Sequence, residues 1–222
     1  MSDTSSTDSV LKINDAISFD YNADKMRDYY DNWAIDYNRH VEQEKYEGPE
    51  IIANFLSELI EQDKLRYSSP ILDAGCGTGL IGKALHNKNF VLIDGFDLSA
   101  RMASKAQESG AYRQVLGDID IMQVGRHYLH DKYSCIVSCG VFTLGHVHPQ
   151  ALVELIQLCQ RGGYIVLSTR NHYLEGTDYA SFSQQLIDNG QLILIEAHKD
   201  QPYTSMDKAT YWIYRKPHRA RF

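Results

Sequence analysis

The run over residues 71–82, Ile-Leu-Asp-Ala-Gly-Cys-Gly-Thr-Gly-Leu-Ile-Gly, constrains this chain more than any other segment. Ile71 and Leu72 end an apolar stretch, Asp73 stands at its tip, and Gly75, Gly77 and Gly79 alternate before a helical pattern begins at Leu80. That order is a buried strand, a tight turn and a helix. The helix offers its free N–H groups where glycines let a ligand come close to the backbone. A second apolar stretch, residues 90–96, ends at Asp97. A carboxylate about 20 residues beyond a glycine turn is placed to accept hydrogen bonds from ribose hydroxyls. A nucleoside-bearing cofactor is therefore expected.

The glycines of residues 77–82 satisfy the dinucleotide pattern G-x-G-x-x-G, which by itself is a weak signal. Asp73 points elsewhere. An anion two residues before the first glycine gives a pyrophosphate nothing, but it suits an amino group or a sulfonium.

Alternating apolar and helical patterns continue down the chain. Residues 24–45 read as one or two helices carrying Tyr29, Tyr30, Trp33 and Tyr37, and a further helix begins near Pro49. Ser99 is a helix cap, residues 112–116 a short strand, and residues 133–139 a buried strand. A helix from Pro149 is expected to end at Gly162-Gly163, followed by a strand over residues 164–169. Residues 179–189 are helical, and residues 192–197 and 210–214 are strands with no helix between them, hence antiparallel. Residues 118–131 have poor periodicity and stay unassigned. Repeated β-α units predict an α/β fold, a mostly parallel sheet with helices on both faces that binds its ligand beyond the carboxyl ends of the strands.

With 222 residues, there is room for one such domain, and none of its stretches reads as a linker. The expected layout is an N-terminal disordered tail over residues 1–23, a helical segment over 24–67 and the core over 68–222. The net charge of −7 argues against a nucleic-acid surface, and no apolar run approaches the length of a membrane span. Residues 1–9 lack signal-peptide character, so a cytoplasmic location is expected. Cys76, Cys135, Cys139 and Cys159 contain no Cys-x-x-Cys pair and read as free buried thiols, so no metal site is expected.

The pattern Asp73-Ala-Gly75-Cys76-Gly77-Thr-Gly79 with Asp97 downstream resembles motif I and the acidic loop of class I S-adenosylmethionine-dependent methyltransferases. The leader Tyr30-Asp-Asn-Trp33-Ala-Ile-Asp-Tyr37 and the segment Gly140-Val-Phe-Thr-Leu-Gly-His146-Val are similar to the methyltransferase-like subgroup of the Williams–Beuren syndrome region. The resemblance implies a Rossmann-like seven-stranded sheet with an antiparallel last strand, and S-adenosyl-L-methionine as cofactor. By position, Asp73 faces the methionyl amino group with backbone at Gly75 and Gly77. Asp97 takes the ribose hydroxyls, Leu98 and Met102 flank the adenine, Asp118 accepts from the adenine amino group, and Ile119 lies on the ring. Cys139 and Gly140 wall the methionyl arm, and Tyr30, Trp33 and Tyr37 form a lid over the cofactor. Bland roles compete with some of these: a helix cap for Asp97, a turn former for Asp118, and an ordinary aromatic seam for the leader.

The acceptor side is less defined. His146, His148, Arg170, Asn171 and His172 follow the fourth and fifth strands; His146 and His172 are the candidate bases, and Arg170, Asn171 and His172 the candidate substrate contacts. Tyr46 and Tyr211 are further pocket candidates that fifteen tyrosines leave without distinction. The residues at 138–142, Ser-Cys-Gly-Val-Phe, lack the Asn/Asp-Pro-Pro-Tyr/Phe motif of exocyclic-amine nucleic-acid methyltransferases. A small-molecule N- or O-acceptor is the expected substrate, and a monomer or weak dimer the expected state. Two alternatives stay open: a nicotinamide-dependent oxidoreductase, whose Tyr-x-x-x-Lys spacing occurs only at Tyr21–Lys25, and a catalytically silent methyltransferase-like binding module.

Overall fold

The computed structural model describes residues 18–127 and 130–218. Seven strands, β1 (Ile71–Ala74), β2 (Ile93–Phe96), β3 (Gln114–Leu116), β4 (Tyr133–Phe142), β5 (Cys159–Arg170), β6 (Ile193–Pro202) and β7 (Lys208–Arg215), form one sheet in the order β3-β2-β1-β4-β5-β7-β6. Neighbouring strands from β3 through β5 pair in parallel, and β7 pairs antiparallel with both β5 and β6. The strand order reverses between β1 and β4. This is the switch point of the sheet, and the cleft above it takes ligands in folds of this kind.

Burial on both faces explains the near-continuous apolar runs of the central strands. Along β4, Cys135, Val137 and Cys139 face one layer of core while Tyr133 and Ile136 face the other; along β5, Tyr164 and Val166 alternate with Ile165 and Leu167 in the same way. The first layer is closed by Ile52, Leu56 and Leu59 of α3 (Gly48–Glu61) and by Ile81 and Leu85 of α4 (Leu80–Asn87). The second is closed by Leu152, Leu155 and Ile156 of α6 (Ala151–Leu158) and by Leu186 of α8 (Tyr179–Asp188).

The turn after β1 depends on glycine at two kinds of position. Gly79 starts α4 at φ 88°, a left-handed conformation that side chains resist. Gly82 lets the Tyr112 ring approach, since a Cβ there would lie 2.1 Å from the ring carbon Cζ. Ser99 caps α5 (Ala100–Glu108), its Oγ accepting the Met102 N–H at 3.0 Å.

Several expected boundaries shift. The helix expected to end at Gly162-Gly163 stops at Leu158, and β5 begins at Cys159. Gly162, at φ 77°, sits instead in a bulge where the β4–β5 register jumps from Tyr133↔Cys159 to Cys135↔Tyr164. Phe90 is not in a strand. It is fully buried beside the end of α4, and its N–H reaches Leu85 O at 3.1 Å. Residues 121–126 form a 3-10 turn, whose period of three explains the poor helical signal there. Residues 171–176, given no element from sequence, form the short helix α7 (Asn171–Gly176). All four cysteines are buried and free.

The leader folds as α1 (Ala23–Trp33) and α2 (Tyr37–Gln43). Asp31 Oδ1 accepts from Ser99 Oγ at 2.5 Å and from the Arg101 N–H at 3.2 Å, which ties α1 to the N-terminus of α5. Thr78 Oγ1 donates to Asn38 Oδ1 at 2.5 Å, which ties α2 to the glycine turn. The tail expected over residues 1–23 lies outside the described residues as far as residue 17. No helix among the described residues is long and apolar enough to cross a membrane.

Candidate active site

Beneath the leader, at the carboxyl ends of β1, β2 and β4, lies a cavity of about 910 Å³ including its solvent-open mouth. Its walls carry Tyr30, Tyr37, Gly75, Gly77, Asp97, Leu98, Met102, Ile119, Cys139, Gly140 and His146, all named from sequence. They also carry Tyr21, Met26, Asp120, Met122 and Val141, which the sequence did not single out as site residues.

Asp97 is the hub of the floor. Its Oδ2 accepts the Gly77 N–H at 2.8 Å and its Oδ1 the Ser99 N–H at 2.9 Å, so one carboxylate joins the glycine turn to the start of α5. The helix-cap role and the cavity position coexist. Burial raises its pKa to about 6, opposed by these same backbone N–H groups.

Asp73 lies fully buried below the turn. Its Oδ2 accepts from the Tyr112 hydroxyl at 2.7 Å, and the same hydroxyl accepts the Gly82 N–H at 3.0 Å. Asp73 Oδ1 has no hydrogen-bond partner among the described residues. Burial pushes this carboxyl up to about 7. A buried acid with an unpaired oxygen is suited to a neighbouring cation, which would favour the ionised form.

Asp118 does not join the cavity. It is 66% exposed at its side chain, sits at φ 56°, and pairs with Arg27 Nε at 3.5 Å. Asp120 stands on the wall in its place, its Oδ1 accepting the Met122 N–H at 2.9 Å to start the 3-10 turn. The two aspartates are two residues apart, with Asp118 in a left-handed turn and Asp120 capping the 3-10 turn.

A smaller cavity of about 410 Å³ adjoins the first and shares Tyr30, Tyr37, Gly140 and His146 with it. Trp33 lines this smaller space rather than the larger one, and its Nε1 donates to His40 Nδ1 at 2.7 Å. Arg170 and Tyr46 line it as well, together with Tyr203 from the β6–β7 turn. Tyr211 is fully buried in the core instead. A third, narrower space beside the glycine turn has Gly75, Cys76, Gly77, Tyr46 and Cys139 on its walls. Cys139 Sγ accepts from Tyr46 OH at 3.1 Å and from Ser168 Oγ at 3.3 Å; burial nevertheless raises the thiol to about 11, so it stays protonated.

The two candidate bases differ in position. His146 Nε2 lies 2.7 Å from Tyr30 OH and its Nδ1 3.2 Å from Leu144 O. Burial lowers its pKa to about 4. His172 stands outside all three cavities, half-exposed on α7, with Nε2 3.8 Å from Asp207 Oδ1. Asn171 is directed away too, its Nδ2 donating to Asp200 at 2.8 Å. Of the three residues at 170–172, only Arg170 reaches a cavity. No metal-ligating cluster occurs among the described residues.

The model of the methyltransferase domain family matches residues 23–218. The human methyltransferase-like protein 27 is 29% identical over 147 residues, covering 65% of this chain and 57% of that protein. The chain thus spans a little over half the length of that curated relative. Among solved structures, the magnesium protoporphyrin IX methyltransferase of Synechocystis PCC 6803, solved with S-adenosylhomocysteine, superposes with a TM-score of 0.63 at 15% identity over 87% of this chain and 99% of its own. A chain from the complex of a Haloferax volcanii putative methyltransferase with the Trm112 activator gives 0.65 at 15% identity, over 88% and 99%. At such identities the likeness is one of fold. The topology and the family match agree: the chain belongs to the methyltransferase domain family, with the class I S-adenosylmethionine-dependent methyltransferase fold.

Proposed function

We propose that this methyltransferase binds S-adenosyl-L-methionine in the larger cavity and transfers its methyl group to a small-molecule N- or O-acceptor held in the smaller one. The observation that carries this reading is the shared wall of Tyr30, Tyr37, Gly140 and His146, where the two cavities meet. A donor in one and an acceptor in the other would face each other there.

The residues present suit the cofactor. Asp73, with its unpaired Oδ1, answers the methionyl ammonium, beside backbone at Gly75 and Gly77. Asp97 keeps lone pairs for the ribose hydroxyls while holding Gly77 and Ser99. Leu98, Met102 and Ile119 give the adenine an apolar slot, with Asp120 near its polar edge. Cys76, Cys139 and Gly140 bound the methionyl arm. Tyr30, Trp33 and Tyr37 act as a lid, and a tyrosine face beside a sulfonium gains about 1–2 kcal/mol of cation–π attraction when desolvated.

The bound cofactor supplies a carbon already activated for in-line displacement. The protein's part is to align the acceptor and exclude water, and alignment alone can supply effective molarities on the order of 10⁵ M. His146 is neutral at pH 7 and its Nε2 lone pair accepts a hydrogen bond from the Tyr30 hydroxyl, so this pair orients the acceptor's polar atom instead of stripping a proton from it.

The test is transfer of labelled methyl from S-adenosylmethionine across a panel of small amines, phenols and alcohols, with a nucleic-acid arm. A labelled small-molecule product supports the reading. Label confined to nucleic acid refutes the acceptor class. Tight cofactor binding with no product in any arm marks a silent binding module.

A further inference from the structure

Among the residues lining the smaller cavity, two carry charge, Arg170 and Glu44. Arg170 ends β5 and is 6% exposed. Its guanidinium makes one hydrogen bond among the described residues, from Nη2 to Asp207 Oδ2, and rests 5.6 Å from the centroid of the Tyr203 ring. Its Nε is buried without a partner among the described residues. Glu44, which follows α2, lines the same space, and its Oε1 is also buried without a partner among the described residues. The remaining walls are mainly aromatic and neutral. Burial raises the phenols of Tyr30, Tyr37, Tyr46 and Tyr203, and it holds His146 uncharged.

A guanidinium has five N–H donors and never gives up its charge. A buried donor and a buried acceptor left unmade in one cavity are costly, and a ligand that bonds to both removes both penalties. Resting on the reading that this cavity holds the methyl acceptor, we propose that the acceptor is amino-acid-like: a small molecule with one carboxylate, bound by Arg170, and an amine whose N–H groups are received by Glu44. The charge count favours a single carboxylate over a phosphate. Asp207 already offsets part of the Arg170 charge, and Glu44 would repel a dianion. Asp207 holds Nη2 of the guanidinium at the cavity wall.

The experiment compares matched triplets on the full chain saturated with S-adenosylhomocysteine: L-phenylalanine, L-phenylalaninamide and phenethylamine, then L-histidine, L-histidinamide and histamine. The amide keeps size and shape but lacks the charge. Binding is read by thermal shift and calorimetry, and turnover in a separate assay with methyl-labelled S-adenosylmethionine in place of S-adenosylhomocysteine. The expected result is that the acid of at least one triplet binds about tenfold or more tighter than its amide and its amine. Arg170→Gln should erase that preference while leaving S-adenosylhomocysteine affinity within about twofold, and Glu44→Gln should weaken the acid without making the amide its equal. Equal responses of acid and amide in both triplets, absence of any response included, overturn the proposal even if neither variant folds. Failure of S-adenosylhomocysteine itself to bind sinks the methyltransferase reading first, so the two failures are told apart.

Discussion

The Tyr30 hydroxyl lies 2.7 Å from His146 Nε2, joining the leader helix to the segment that follows β4. The Leu144 carbonyl, 3.2 Å from Nδ1, assigns the tautomer: Nδ1–H donates to it, and Nε2 accepts from the phenol. That bond adds a tie between the leader and the site, while burial keeps the imidazole neutral.

Tyr30→Phe removes the donor and leaves Nε2 unpaired. The expected cost is about 0.5–1.5 kcal/mol of stability, since the pair is part-buried. The acceptor KM should rise more than the S-adenosylhomocysteine Kd. Thermal melts and steady-state kinetics on the variant check this. Unchanged kinetics with an unchanged melt would show the bond to be incidental.

Three groups give the pH dependence, with two opposite signs. His146 falls from 6.5 to about 4 on folding, so its contribution is full above about 6.5 and is lost as pH falls toward 4. Asp73 and Asp97 rise from 3.8 to about 7 and about 6, so the folded chain keeps their protons longer, and their contribution fades as pH climbs through those values. Ionised Asp73 is the form that receives an ammonium. S-adenosylhomocysteine affinity should therefore strengthen from about pH 5 to about pH 7, with proton release detectable in buffers of different ionisation enthalpy. Asp73→Asn should bind about tenfold or more weakly and lose that slope. A slope that persists in Asp73→Asn would place the titration elsewhere.

Asp97→Ala deletes the acceptor for two backbone N–H groups as well as a ribose contact. Each charged hydrogen bond contributes about 1.5–3 kcal/mol at most. The variant should melt lower than the wild type and bind S-adenosylhomocysteine far more weakly, whereas Asp97→Asn should recover much of the melt and little of the affinity. Calorimetry on both variants separates the structural loss from the binding loss. Equal affinity in wild type and Asp97→Asn would reject the ribose role.

The strand–glycine–helix unit around Asp73, the acidic tip at Asp97 and the antiparallel closing strands were legible in the sequence, because each rests on local spacing and apolar period. Local spacing failed where the backbone departs from a regular repeat. The bulge at Gly162 looked like a helix end, and the 3-10 turn hid that Asp120, not Asp118, faces the cavity. The partners of the buried polar groups were out of reach for another reason. Tyr112 under Asp73, Asp31 on Ser99 and Tyr203 over Arg170 are contacts between residues 33 to 68 apart in sequence, which only the folded chain brings together.

Asp31→Ala should loosen the leader, since it removes the acceptor for Ser99 Oγ and the Arg101 N–H. The expected loss is about 1.5–3 kcal/mol per charged hydrogen bond at most. Amide exchange across residues 24–45 should quicken in the variant, and in the wild type it should slow on adding S-adenosylhomocysteine, as a ligand favours the state it binds best. Equal protection with and without ligand in the wild type would make the leader ordinary packing and not a lid.

The most direct measurement is calorimetric titration of the purified chain with S-adenosylhomocysteine and, in parallel, with NADH. The larger cavity, with Asp73 Oδ1 lacking a partner among the described residues beneath its glycine turn and Asp97 at its floor, should take S-adenosylhomocysteine one to one at about micromolar Kd, near −8 kcal/mol, and give no saturable heat with NADH. Saturable binding of NADH with none of S-adenosylhomocysteine would contradict it.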